Sequence, residues 1–267
     1  VKQAARQAGV RVLEPLRMDD GAFVAEMEAL RPHAAVVVAF GQLLPPSVLG
    51  LPELGCINVH ASLLPKYRGA APIQWALLNG EQTTGVSVIR LVARMDAGDI
   101  LAARELSIGE EEDAVSLSRR LADLGAGLLP EVLDALATGT TRPVPQLEAE
   151  ATFAPRLRKA DGAIRWADTA QRIARMVRAL LPWPSAHTVW RGRGLKILAA
   201  RVRPWESPGA PGEVIRADHE TLWVGTGGGV LEVLELQLES RPCMSAAAFV
   251  RGHGGIRGER LGIEAEA

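Results

Sequence analysis

Cysteine is nearly absent from this chain. Two residues in 267, Cys56 and Cys243, stand without a C-x-x-C pair or a neighbouring histidine ladder. That excludes a disulfide framework and a zinc ribbon and makes a reducing cytoplasm the expected setting. Long apolar runs are missing too: none approaches the roughly 18 residues a membrane span needs, and the first residues lack the basic-then-apolar order of a signal peptide, so no membrane partner is expected. Low-complexity tracts and a repeat period are also lacking, which sets aside fibrous and solenoid classes. Net charge is small, formally −1.

The balance is uneven along the chain. Residues 1–139 carry 12 Lys and Arg against 17 Asp and Glu, whereas Ala151 to Pro204 carry 12 against 2. So dense a basic segment in a nearly neutral protein reads either as a surface for a polyanion, because clustered cations displace counterions from phosphates, or as a solvated helix face. With 48% hydrophobic and 23% charged residues the composition is that of an ordinary globular protein, long enough for two cores.

Strand-like and helix-like segments alternate in the first half. Val10 to Leu13 reads as a short strand, and Phe23, Met27 and Leu30 recur at helical spacing after Asp19 and Asp20. Ala34 to Phe40 and Cys56 to His60 are short apolar runs of the kind buried in a parallel sheet, with a helix near Ile73 to Leu78 and strands at Thr84 to Leu91 and Asp99 to Ser107. Ala114 to Leu136 has the spacing of a long amphipathic helix opened by the acidic cluster Glu110 to Asp113. This order implies an open α/β sheet. Residues 140–159 are rich in Pro, Thr and polar residues and read as a linker. Beyond it, a helix at Thr169 to Leu180 and short runs split by turns predict a small antiparallel barrel or sandwich. The GTGGG run lacks a P-loop lysine and sits between two alternating strands, so it predicts a hairpin turn.

One strand ends unusually. In CINVHASLLPKYRGAAP, Asn58 and His60 interrupt an apolar run, and alternation puts both on one face. No GxSxG elbow or cysteine nucleophile is present. An amide and an imidazole can donate to an oxygen that gains negative charge, with a carboxylate nearby to take a proton; Asp96 and Asp99 in VARMDAGDIL are the candidates. On pattern alone, a hydrogen-bonded core pair is the commoner use of Asn58 and His60, and an Asx turn an ordinary use of the aspartates.

INVHASLLPKYRGAAPIQWALLNG, with Asp96 in MDAGDIL 38 positions after Asn58, resembles the folate-dependent formyltransferases, in particular those acting on initiator methionyl-tRNA. The likeness extends through VVVAFGQLLP, where Phe40 stands for a more usual tyrosine, and through TFAPRLRKADGAIRW, LLPWPSA, PGEVI and MSAAAF in the second half. It implies a Rossmann-like, mostly parallel catalytic sheet over 1–139, N-terminally incomplete by about 50 residues, or about two strands' worth with a helix and loop. It further implies an OB-like, tRNA-binding barrel over 160–267. The implied reaction moves the formyl group of 10-formyltetrahydrofolate to the methionyl amine of initiator tRNA, with Asn58, His60 and Asp96 as catalytic residues and no metal. The resemblance also assigns Ser62, Leu63, Leu64 and Pro65 to the folate, aided by backbone near Gly41 to Leu44 and around Asp96. Arg156, Arg158, Lys159, Arg172, Arg175 and Arg178 are the candidates for tRNA phosphates, and a monomer is expected. The alternatives are a relative acting on a small amine, such as an amino sugar or glycinamide ribonucleotide, or a noncatalytic RNA-binding remnant.

Overall fold

Asp20 sets the start of the first well-capped helix. The computed structural model describes residues 1–204 and 209–262, so 205–208 and the last five residues of the expected second domain lie outside the described residues. After α1 (Lys2–Gln7), the Asp20 carboxylate accepts from the Ala22 and Phe23 amides at the head of α2 (Gly21–Leu30). Val10 to Leu13, between them, forms no strand. An apolar run becomes a strand only where a sheet edge receives it, and among the described residues none pairs with it.

The first sheet has the order β1 (Ala35–Val38), β2 (Cys56–His60), β4 (Thr83–Arg90), β5 (Ile100–Ser107). Between these strands lie α3 (Pro46–Leu49), β3 (Arg68–Gly69) and α4 (Pro72–Asn79). Val38 pairs with Val59, parallel. The expectation of a mostly parallel sheet is corrected, because β2 with β4 and β4 with β5 are both antiparallel. The cause lies in α4. Eight residues give a rod about 12 Å long, and it returns the chain at the His60 end of β2, so that His60 faces Ser87 and Ile57 faces Arg90. Strand β4 must then run against β2, and β5 follows as a hairpin. One face of the sheet is covered by α5 (Ala114–Ala137), whose Leu117, Leu121, Leu128, Val132 and Leu136 are buried at helical spacing. Its N-terminus is a capping box of Asp113 and Ser116. Burial pushes the Asp113 carboxyl up, but the Ser116 amide and hydroxyl bonds outweigh it and hold it below the usual carboxylate value.

The expected linker, residues 140–159, is bonded to the first sheet and to the loop after β2. Val144 exchanges backbone hydrogen bonds with Ile100, and β6 (Phe153–Ala154) pairs in parallel with β3, so the segment straps across the loop that follows β2. It leads to α6 (Ala170–Ala179), capped by Thr169. Helix α6 serves both halves: Ile173 and Val177 enter the second core, while Ala179 packs with Leu77, Val86 and Leu117 of the first.

The second half is an antiparallel sheet in the order β7 (Ala186–Trp190), β8 (Arg193–Arg203), β11 (Val230–Leu238), β10 (Leu222–Gly225), β9 (Val214–Ala217), with β12 (Met244–Ser245) on β11 and α7 (Ala246–Gly252) against it. The GTGGG run is the turn between β10 and β11. The OB-like barrel is not realised as a closed sheet: among the described residues β7 and β9 do not pair. Residues 258–262 occupy the seam instead. Val214 donates to Glu259 O, and Gly262 donates to Val189 O, so irregular backbone supplies bonds that strand pairing would have made. Trp166, Trp190, Leu231 and Phe249 lie in the enclosed core. Among the described residues, no helix is long and apolar enough to cross a membrane.

Candidate active site

Asn58 and His60 share one face of β2, and His60 is its last residue. His60 Nε2 lies 2.9 Å from the Tyr67 carbonyl oxygen. A carbonyl can only accept, so Nε2 carries a proton, and the ring's remaining polar atom is Nδ1. That atom lies 3.7 Å from Asp96 Oδ2, with the His60 and Asp96 side chains only 6% and 12% exposed. Asn58 Nδ2 donates to Asp96 Oδ1 at 3.4 Å, and the Gly69 amide donates to Oδ2 at 2.8 Å. Amide, imidazole and carboxylate therefore meet, although Asn58 and Asp96 are 38 residues apart.

The loop from Leu91 to Asp99 leaves the sheet at the Ile57 end, yet doubles back to bring Asp96 to His60. Two features allow this. Asp96 takes the left-handed conformation, φ 47°, which Asp tolerates better than most residues. Gly98 passes so close to β4 that an added Cβ would sit 1.7 Å from Arg90 O. Of the two candidate aspartates, Asp99 is exposed, and Asp96 is the one that reaches the cluster.

The SLLP loop is bound largely to itself and to β4. The fully buried Ser62 hydroxyl donates to Lys66 O at 2.6 Å, while the Ser87 hydroxyl accepts from Leu64 N and donates to Ser62 O. Leu64 is buried, and Leu63 and Pro65 are partly open. Because Val38 pairs with Val59, residues 39–44 leave β1 beside the His60 end of β2, with Phe40 and Leu43 exposed.

The basic candidates divide. Arg156, Arg158 and Lys159 are exposed, and Arg172 is exposed beside Asp168. Arg175 packs its guanidinium against Gly80, at the end of α4. Arg178 donates to Glu112 O at 2.7 Å, and burial, then the neighbouring Arg175, holds its pKa below the usual arginine value. Its head group thus joins α6 to the entry of α5. A cleft of about 540 Å³ lined by Asn79, Asp168, Arg172 and Arg175 lies here, and another of about 810 Å³ lies beside β9, at Arg216, Trp223 and Arg257. Asn58, His60 and Asp96 line neither.

Sequence reasoning missed three contributors. Tyr67 supplies the carbonyl that orients His60, while burial and its bond to Glu81 push its phenol up to about 12. Arg68 is buried with its guanidinium on Gln146 and Glu148. Gln146 donates to the carbonyls of Asp96 and Gly98. Tyr67 and Arg68 stood in the quoted motif, where their neighbourhood was a usable signal; Gln146 sat in a polar stretch with none.

An α/β sheet carrying this cluster, followed by an antiparallel half, fits an enzyme of one-carbon transfer, and family models agree: one described as formyl transferase matches residues 1–133, and one described as formyl transferase, C-terminal domain, matches 156–254. The chain belongs to the formyl transferase family. Within it, the chain is similar to methionyl-tRNA formyltransferases: it is 45% identical to that of Geobacter metallireducens and 46% to that of Roseiflexus castenholzii, each over 98% of this chain and 84% of the relative. Among solved structures, HypX from Aquifex aeolicus in complex with tetrahydrofolic acid superposes with TM-score 0.69 at 21% identity, over 91% of this chain and 42% of that one. The sugar 3N-formyl transferase WlaRD, in the presence of dTDP and 5-N-formyl-THF, gives 0.67 at 15% identity, over 91% and 82%. These two share the fold.

Proposed function

We propose that this chain transfers the formyl group of 10-formyltetrahydrofolate to the α-amine of methionine carried on initiator tRNA. The observation that carries the reading is the Asp96 carboxylate held against Asn58 and His60 by a loop that doubles back, in a chain 42–46% identical to methionyl-tRNA formyltransferases over nearly its full length.

The folate supplies an activated formyl carbonyl. Asn58 presents an amide whose second N–H remains for the carbonyl oxygen as an amine adds and charge builds there. With Nε2 committed to Tyr67 O, His60 can donate to that oxygen only from Nδ1, and only when the imidazole carries two protons. Asp96, beside Nδ1, is placed to take the proton released by the amine, directly or through a water. Collapse of the adduct then breaks the bond between the formyl carbon and the folate N10, and that nitrogen leaves with the proton Asp96 received, giving the formylated amine and tetrahydrofolate. For the folate, the partly open Leu63 and Pro65 and the backbone of Gly41 to Leu44 suit a flat heterocycle beside His60, with Phe40 and Leu43 offering apolar surface. Ser62 contributes by shaping the loop, since its hydroxyl is internally bonded.

Exposed Arg156, Arg158, Lys159 and Arg172 are the tRNA phosphate contacts in this reading, and Arg175 extends them at the α6 cleft. We assign 1–139 to catalysis and 160–267 to tRNA binding, in a cytoplasmic monomer. The test is single-turnover formylation with the purified chain, charged initiator tRNA and 10-formyltetrahydrofolate, read on an acid gel. Formylmethionyl-tRNA is the expected product; formylation of an amino-sugar nucleotide with none of the charged tRNA would overturn the reading.

A further inference from the structure

We propose that Gln146 is a positioning residue for formyl transfer: it clamps the loop that carries Asp96, and Arg68 in turn holds Gln146. The proposal rests on the reading of Asp96 as proton acceptor given above.

The loop has little of its own to keep it folded back. Val92, Arg94 and Met95 are exposed, and Asp96 adopts a conformation that costs a non-glycine residue free energy. Its restraint comes from outside. Gln146 Nε2 donates one N–H to Asp96 O at 2.8 Å and the other to Gly98 O at 2.7 Å, so both protons of one amide bracket the turn at Asp96. The opposite end of the same amide, Oε1, accepts from Arg68 Nε at 2.9 Å and Nη2 at 2.7 Å. Orientation is thereby forced, because a guanidinium can only donate and carbonyls can only accept. No other standard side chain of this length offers both two donors and an acceptor. Glutamate would keep the bond to Arg68 and lose both carbonyls; methionine would lose everything but the volume.

Arg68 is itself fixed. Its side chain is 3% exposed, and a buried cation needs a counter-charge; Glu148 provides it, two residues beyond Gln146 at the start of a short 3-10 turn, with Nη1 at 3.2 Å and Nη2 at 2.9 Å. The Arg68 bonds, with Arg94 adding to them, hold the Glu148 carboxyl below the usual range. Next along the chain, Gly69 gives its amide to the Asp96 carboxylate. The carboxylate and the backbone that bears it are thus gripped from one Arg68–Gly69 pair, directly on one side and through Gln146 on the other.

The experiment compares Gln146→Met and Gln146→Glu with wild type, and Q146M/D96N with D96N. Displacing a reacting group by about 1 Å costs on the order of 100-fold, so kcat should fall by about 10- to 100-fold in both single variants. KM for tRNA should stay within about twofold, since none of the proposed tRNA contacts is touched. The double variant should be no slower than D96N alone, because a residue that acts through Asp96 has nothing left to position. An unchanged kcat, or a double variant slowed by the product of the two single effects, overturns the proposal. If Q146M does not fold, Q146E carries the same test, as it keeps the Arg68 contact. A wild-type chain with no transfer activity would sink the functional reading alone. The clamp is then judged by amide hydrogen exchange over residues 93–99, which the variants should speed by at least about tenfold; equal rates overturn it.

Discussion

Replacing Asp96 by asparagine removes one charge and one proton acceptor while leaving the hydrogen-bond frame nearly intact. The new side-chain carbonyl can take the place of Oδ2, accepting from the Gly69 amide, now made at 2.8 Å, at 3.7 Å from His60 Nδ1; its NH2 then takes the place of Oδ1, at the expense of the 3.4 Å bond from Asn58 Nδ2. The loop should keep its place, with Gln146 and Gly98 unaltered. What is lost is the group to which the proposed mechanism gives the amine's proton. A positioned general base contributes about 100- to 10,000-fold, equivalent to about 3–5 kcal/mol in the barrier. Single-turnover formylation of charged initiator tRNA, quenched in acid, reads this directly, and filter binding reports tRNA affinity, which should not move. An Asp96→Asn variant within about threefold of wild type would refute the reasoning, because no other carboxylate is placed beside His60 and Asn58 in the structure described.

Further expectations concern the frame and the second half. Gly98→Ala forces a methyl to within 1.7 Å of Arg90 O, so the loop must move; thermal unfolding should show a loss of about 2–4 kcal/mol, with activity lost as well. Folding raises the Tyr67 phenol from 10.0 to about 12; its contribution to stability is complete below pH 10 and is lost as pH climbs through 12. Denaturant titrations at pH 9 and pH 12 should therefore show a decline in wild type larger than in Tyr67→Phe. Changing Arg156, Arg158 and Arg172 together to glutamine should weaken tRNA binding and flatten its dependence on salt. By contrast, Arg178→Gln should chiefly lower stability, because its guanidinium caps Glu112 O between α6 and α5.

The sequence was most informative where periodicity is long or chemistry is local. Helix α5 and its acidic entry, the turn at GTGGG, and the alternation that pairs Asn58 with His60 were all readable from residue type and spacing. Strand direction was not. An eight-residue helix after β2 looks like a crossover in sequence, and only its path shows that it returns the chain at the same end. The closure of the second half was equally hidden: residues 258–262 bridge β9 and β7 through main-chain groups, which every sequence has. Asp96 could be named, from the family motif, but what holds it could not. Gln146 acts on two backbone carbonyls from a stretch whose composition suggests only a linker, and Tyr67 orients His60 through its own main chain. Side-chain-to-backbone bonds leave no trace in composition, because any residue can supply the backbone half.

The strap across the β2 loop fixes where this molecule can be cut and rejoined. A chimera whose graft junction falls at Gly139, where the long helix ends, would replace Gln146, Glu148, Thr152 and Ala154 with a donor's residues and leave Arg68, Tyr67 and Gly69 facing strangers. A junction placed after Leu157 would carry the whole brace with the half it serves. Exchange of second halves among relatives is then constrained by the contacts of this brace, whatever surface the incoming half presents to solvent.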